Sequence, residues 1–117
     1  MKCENLDVWK RSATLSSELY LYFRESKDYG FKDQITRSGL SIPSNIAEGV
    51  ERNSDKESIH FLDIAQGSCA ELKTQIYIGM KIAYIDKETG KKWIDEVAAV
   101  NRMIGGLKKS IISQLAT

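Results

Sequence analysis

His60 is the only histidine of the 117-residue chain, and it stands three residues after a carboxylate in Glu57-Ser-Ile-His60. On a helix that spacing turns an imidazole and a carboxylate to one face, the arrangement with which di-iron bundles hold a shared metal. The complete site needs two such motifs and two more glutamates from other helices. One histidine cannot supply it, and Glu57 also completes a capping box with Ser54, so an ordinary surface pair is the simpler reading. An all-helical ribonuclease would bring an arginine and a histidine a few residues apart onto the scissile phosphate, whereas seven residues separate Arg52 from His60. No serine or cysteine has a neighbouring histidine to act as its base. Cys3 and Cys69 lie far apart without zinc spacing and read as reduced thiols, Cys69 on a core seam. The sequence predicts no catalytic residue, no metal and no cofactor.

Its other chemistry is charge. Lys87 onward carries six basic against three acidic residues, or +3, while Ser54 to Asp86 carries three against five, or −2. Lys91, Lys92, Arg102, Lys108 and Lys109 are the candidate phosphate contacts, with few aromatics nearby for base stacking. A solvated helix face is the plainer alternative for one subunit, but an oligomer would repeat the patch and add avidity. The whole chain is nearly neutral, with 17 basic and 16 acidic residues and a net charge of +1. Bulk charge therefore draws it to neither nucleic acid nor membrane. The polar opening MKCENLD is not a signal peptide, and no apolar run reaches the ~20 residues of a membrane span. A cytoplasmic protein without membrane contact is expected.

Four amphipathic segments must position these groups, with breaks at Ser26–Gly30, Asn53–Ser54 and Ile85–Gly90. The first helix is expected from Asn5 to Glu25, with Leu6, Trp9, Ala13, Ser16, Tyr20 and Phe23 as its seam and a second apolar stripe through Val8, Leu15, Leu19 and Tyr22. The second runs from about Phe31 to Arg52 and contains Pro43, the only proline. An interior proline removes an N–H and presses on the carbonyl four residues earlier, here that of Gly39, where a glycine leaves room to tilt. Ser41 or Ser44 can take freed carbonyls. The alternative is a new helix opening at Pro43. The spacing Phe31, Ile35, Gly39, Ile42, Ile46, Gly49 passes through the proline without a phase break, which favours a kink.

A third helix starts at Ser54, with a heptad seam of Leu62, Ala65, Cys69, Leu72, Ile76, Gly79 and Ala83. The fourth follows a turn at Asp86 to Gly90 and repeats the spacing through Trp93, Val97, Val100, Ile104, Leu107, Ile111 and Leu115. There Gly105-Gly106 marks either close packing or a bend. Short connections between long helices predict an all-α, up-down-up-down antiparallel four-helix bundle with a proline-kinked second helix, filling residues 1–117 as one domain. The tight turn at Asn53 pairs residues whose numbers sum to about 107. Gly39 then faces Ser68, Ser41 lies near Gly67 and Ala65, Arg37 makes an ion pair with Glu71, and Asn45 and Glu48 are polar groups held near the kink. Tyr77, Ile78, Met80, Ile82, Tyr84 and Ile85 leave apolar residues on every side of the late third helix, which predicts a subunit interface.

Arg37, the run Ser41-Ile-Pro-Ser-Asn-Ile-Ala-Glu-Gly49, Arg52, and Phe61-Leu-x-x-Ala65-x-Gly67-Ser68-x-x-Glu71-Leu72 carry a resemblance over essentially the whole chain. It resembles the four-helix-bundle proteins encoded in intervening sequences of bacterial 23S ribosomal RNA genes, and the opening Leu6-x-Val-Trp9 fits as well. Their relatives include the accessory variability determinant of diversity-generating retroelements, a barrel-shaped homopentamer that binds nucleic acid and a reverse transcriptase. The resemblance implies an up-down bundle, a ring-like homo-oligomer and no catalytic activity. The retroelement protein is expected to be strongly basic, and this chain is not. The expected function is that of a non-enzymatic, homopentameric scaffold for RNA, DNA or a nucleic-acid-associated protein such as a reverse transcriptase. The alternatives are a purely structural assembly protein and an RNA-processing enzyme, the latter calling for a polar pocket that contains Arg52 and His60.

Overall fold

The computed structural model describes residues 2–115, the side chain of Leu115 excepted. Four α-helices, α1 (Asp7–Phe23), α2 (Tyr29–Glu51), α3 (Asp55–Lys81) and α4 (Lys87–Leu115), follow a 3-10 turn at Cys3–Asn5, with no strand among the described residues. They form a body of 50 × 21 × 20 Å. Each helix packs on its neighbours in sequence, and α1 also packs on α4.

Three of the helices open on side-chain caps. Asp28 accepts from Phe31 N (3.1 Å), Ser54 from Glu57 N (3.1 Å), and Asp86 from both Thr89 N and Thr89 Oγ1 (2.8 Å each). A cap oxygen satisfies one of the N–H groups that the first helical turn leaves without a partner. Asp86 moves the start of α4 forward of the expected turn, so Gly90 lies inside the first turns, buried against Met80.

The seams of α3 and α4 are buried as their spacing predicts, from Leu62 to Gly79 and from Trp93 to Ile104. Leu107 and Ile111 pack on the core's edge, Ala83 lies beyond the end of α3, and Leu115 falls outside the described side chains. In α1 each expected stripe is buried in part. Ser16 and Phe23 of the seam and Val8, Leu15 and Leu19 of the second stripe lie in the interior with Ser12, while Tyr20 of the seam stays 43% exposed, Trp9 is only half-buried and Tyr22 of the second stripe is exposed. A helical period gives the faces but not which face a neighbour covers, and the tight approach of α2 to α1, at Gly39, falls at Leu19.

Pro43 lies inside α2, which continues through it. Ser41 does not turn back to a freed carbonyl: its hydroxyl meets Ser68 Oγ across the hairpin at 2.8 Å. Gly39 does not face Ser68. A Cβ there would strike the Leu19 side chain, so this glycine admits α1. The close approach to α3 occurs at Gly49, where a Cβ would lie 3.1 Å from the Ser58 carbonyl and 3.3 Å from Leu62. Gly67 opens to space, as does Gly106, and Gly105 would make only ordinary contact with Gln66, so neither α4 glycine marks close packing. No ion pair joins Arg37 to Glu71 among the described residues, and both side chains are exposed along one groove.

The α3–α4 connection folds back on itself. Tyr84 N and Ile85 N both donate to Gly79 O (2.8 and 3.0 Å), and Ala83 takes a φ of 63°, left-handed backbone unusual for a residue with a Cβ. This drives Ile85 into the core at 1% exposure, over Gly79. Ile85 is therefore not an interface residue, and Met80, half-buried against the core and Gly90, is not a free one.

Candidate functional site

The basic candidates on α4 divide by the face they occupy. Lys91, Arg102 and Lys109 are exposed, eleven and seven residues apart, spacings that bring them to one side of a helix with 3.6 residues per turn. None of the three enters an ion pair among the described residues. Ala98, Gly105 and Gly106 lie between them on that side, with open space over Gly106, and the same side carries the acids Glu88 and Asp95. The other two point elsewhere. Lys92 lines a groove between α1 and α4 with Arg11, Glu18 and Glu96. There Arg11 Nε donates to Glu96 at 2.9 Å, and that bond holds the Glu96 carboxyl below its ordinary value. Lys108 bonds Gln66 Oε1 at 3.0 Å and pairs with Asp63 on α3.

The signature residues of the hairpin meet in a polar groove of ≈ 390 Å³ between α2 and α3, with Arg37 and Ser41 on one wall and Gly67, Ser68 and Glu71 on the other. Asn45 organises it. Its amide donates to the Ser41 carbonyl (2.8 Å) and to Ser41 Oγ (2.9 Å), holding the hydroxyl that reaches Ser68. Glu48 is separate, paired with Arg52 one turn on at 2.5 Å. The arrangement is a cross-helix hydroxyl clamp.

Apolar side chains are exposed at several places among the described residues, Leu21, Tyr29, Ile64 and Ile112 singly and others in two groups. Tyr77, Ile78 and Ile82 at the end of α3 are 51%, 47% and 48% exposed, as the composition of that segment predicts, with Tyr77 at the edge of a groove between α3 and α4. Tyr84 is half-exposed but engaged, its ring on Phe31 and its hydroxyl on Asp28. The second group belongs to a groove of ≈ 420 Å³ between α1 and α2, lined by Trp9, Ala13, Tyr20, Leu40, Pro43 and Ala47 with serines at its edges. Sequence reasoning missed this groove. Its signal is the second apolar stripe of α1: once Leu15 and Leu19 occupy the core, Trp9, Ala13 and Tyr20 of the expected seam are left to line the groove.

Arg52 and His60 both lie against Phe61. The Arg52 guanidinium lies 4.6 Å from the centre of the Phe61 ring, and His60 meets the same ring edge-on at 5.5 Å. Burial pushes the Cys69 thiol up to about 12, which keeps it protonated and poorly nucleophilic. No cluster of three or more His, Cys, Asp or Glu able to hold a metal occurs among the described residues, and no helix is long and apolar enough to cross a membrane.

The family model described as 23S rRNA-intervening sequence protein matches residues 4–106. Among solved structures, a protein of unknown function from the S23 ribosomal protein family of Bacteroides thetaiotaomicron superposes with a TM-score of 0.81 at 25% identity, covering 87% of this chain and 98% of that one. No curated protein matches.

Proposed function

The chain belongs to the family of 23S rRNA-intervening sequence proteins, and from that membership we propose that it is a cytoplasmic, non-enzymatic, homo-oligomeric scaffold that holds nucleic acid on the outer face of α4. Opposed pairings such as Tyr22–Asp86 with Arg11–Glu96, and Ser41–Ser68 with Gly49–Ser58, support an up-down-up-down antiparallel order. A kink at Pro43 is part of the same reading. Self-association rests on the exposed apolar side chains of Tyr77, Ile78 and Ile82. A ring of five is what the family resemblance implies.

One observation carries the nucleic-acid reading: Lys91, Arg102 and Lys109 share an exposed face on which Ala98, Gly105 and Gly106 leave room for a phosphate backbone and Asp95 is the acid between the first two. Contacts of this kind fix position on a strand without reading its sequence. Each phosphate neutralised adds about −0.9 to the log–log salt slope on duplex DNA, so a multi-subunit contact is steeply salt-dependent. An anisotropy titration at low salt against duplex DNA, single strands and structured RNA tests it. Charge reversal at Lys91, Arg102 and Lys109 together is expected to abolish binding, while Lys108→Glu, at a residue already paired, changes it little. No binding by the native chain to any of the three would favour a purely structural assembly protein, the reading to which the net charge of +1 lends weight.

A further inference from the structure

The basic face of α4 has few aromatics of its own, and the groove between α3 and α4 supplies one from the neighbouring helix. The groove has a volume of ≈ 390 Å³ and is lined by Lys73 and Tyr77 of α3 together with Arg102 of α4. Cys69 and Val97 are buried at its floor, and Ala70 and Ala98 keep its walls low. No acid lines it: Glu88 and Asp95 of the outer α4 face stand outside its walls. At one end Gln66 spans the two helices, donating to the Asn101 carbonyl at 3.3 Å and accepting from Lys108 at 3.0 Å. Tyr77 lies eleven residues further along α3, about 16 Å away at 1.5 Å per residue, so the groove is long and narrow. Tyr22 and Tyr84 engage aspartates with their hydroxyls and neighbouring aromatics with their rings. The Tyr77 ring is 51% exposed, and it meets no other ring and its hydroxyl no partner among the described residues. Lys73 and Arg102 likewise enter no ion pair there.

We infer that the α3–α4 groove takes a short run of single-stranded nucleic acid, with an unpaired base stacked on Tyr77 and phosphates on Lys73 and Arg102. The inference rests on the nucleic-acid reading proposed above and narrows it, because Arg102 belongs both to the groove and to the outer face of α4. Every base has a π-face, but that face is open to a side-chain ring only where the base is unpaired and splayed out. A duplex keeps its bases stacked inside, so it meets the α4 face through its phosphates and gains nothing from Tyr77. Two cations without an acid suit a polyanion, and the apolar floor between them suits a base. An acidic peptide would match the cations but give the ring no flat partner. Tyr77 thereby leaves self-association to Ile78 and Ile82, which point about 100° and about 140° round α3 from it.

Fluorescence anisotropy at low salt tests this with three probes: a mixed-sequence single strand, the same strand with abasic sites in place of its bases, and the matching duplex. The native chain is expected to bind the intact single strand roughly tenfold more tightly than either of the others. Tyr77→Leu should bring the intact strand down to the abasic level, and Tyr77→Phe, which retains the ring, should restore it. Lys73→Gln should make the log–log salt slope on the single strand shallower by about 0.7 for each subunit engaged, whereas Tyr77→Leu should leave the slope unchanged. Circular dichroism and sedimentation of each variant are expected to match the native chain, since Tyr77 is half exposed. Three results overturn the inference while leaving the phosphate contacts of α4 intact. They are equal native binding to intact and abasic strands, a duplex bound as tightly as the single strand, or native-like binding of the single strand by Tyr77→Leu. Loss of binding by Tyr77→Leu that comes with loss of assembly overturns it too, by placing Tyr77 in the subunit contact. A native chain that binds none of the three probes overturns both readings.

Discussion

The two ends of the bundle are held together by different means. At the end where α2 and α4 begin, the contacts join elements distant in sequence. Tyr22 Oη donates to Asp86 (3.2 Å) and accepts from Asp86 N (3.1 Å), Tyr84 Oη donates to Asp28 (2.8 Å), and Phe23, Phe31 and Trp93 pack beneath. Each aspartate caps a helix and is itself gripped by a tyrosine from another element. At the opposite end the turn between α2 and α3 is held by its neighbours: Ser54 caps the residues that follow it, and Arg52 lies between Glu48 and Phe61. The first end is tertiary and the second local. Damage to the first should therefore be felt through the whole molecule, and damage to the second should stay near the turn.

The largest break in that contrast comes from Phe23→Ala. Its ring is 3% exposed and touches Tyr22, Phe31 and Trp93, so its loss should cost about 3–5 kcal/mol in denaturant unfolding. Next is Gly79→Val at the same end. Even a Cβ there would lie 2.5 Å from Ile85 Cδ1, and overpacking of this kind costs about 1–3 kcal/mol. Ser54→Ala at the local end removes one cap and should cost about 1 kcal/mol. Arg52→Ala removes an exposed pair one turn apart and an exposed contact with the Phe61 ring, and should cost about 1 kcal/mol or less. If Arg52→Ala proved as damaging as Phe23→Ala, the division into a tertiary and a local end would be wrong.

Acid and base sharpen the same contrast. Asp28 is held below its ordinary value of 3.8 by the Phe31 N–H and then the Tyr84 hydroxyl, and Asp86 by the Thr89 N–H and hydroxyl with help from Tyr22. Stabilisation from these groups is present above the ordinary carboxyl value and is lost as pH falls through their lower folded-state values. Tyr84 is shifted upward from 10.0 by its bond to Asp28, so its share is present below that value and disappears as pH rises through the folded one. Thermal melts should show a plateau near neutrality with a fall at each extreme. Asp28→Asn combined with Asp86→Asn is expected to flatten the acid limb, which Ser54→Ala should leave unchanged.

What could be read from the sequence follows the same line. The Ser54 cap and the seams of α3 and α4 depend on spacing within one segment, and they stand where the spacing puts them. Gly39 depends on which helix arrives beside it, and the arrival was α1, not α3. The ion pair expected between Arg37 and Glu71 needed only the right level along the hairpin to be predicted, but forming it needs both side chains to turn inward, and a level does not fix that. Ile85 reads as surface because the stretch around it is apolar on all sides, and only the left-handed step at Ala83 sends it into the core. Among the basic candidates, periodicity could have separated Lys91, Arg102 and Lys109 from Lys92, but the capture of Lys108 by Asp63 and Gln66 depends on α3.

Ile85 makes the α3–α4 connection part of the interior, with a core side chain and two bonds to a single carbonyl in a span of a few residues. Extra residues spliced into it would pull that side chain out before they lengthened anything. The turn at Arg52 to Ser54 carries no buried side chain, and a longer flexible loop there adds only a slowly growing closure entropy. A tag, a fused domain or relocated chain ends would accordingly be accommodated at Asn53, and would be rejected between Ile82 and Asp86.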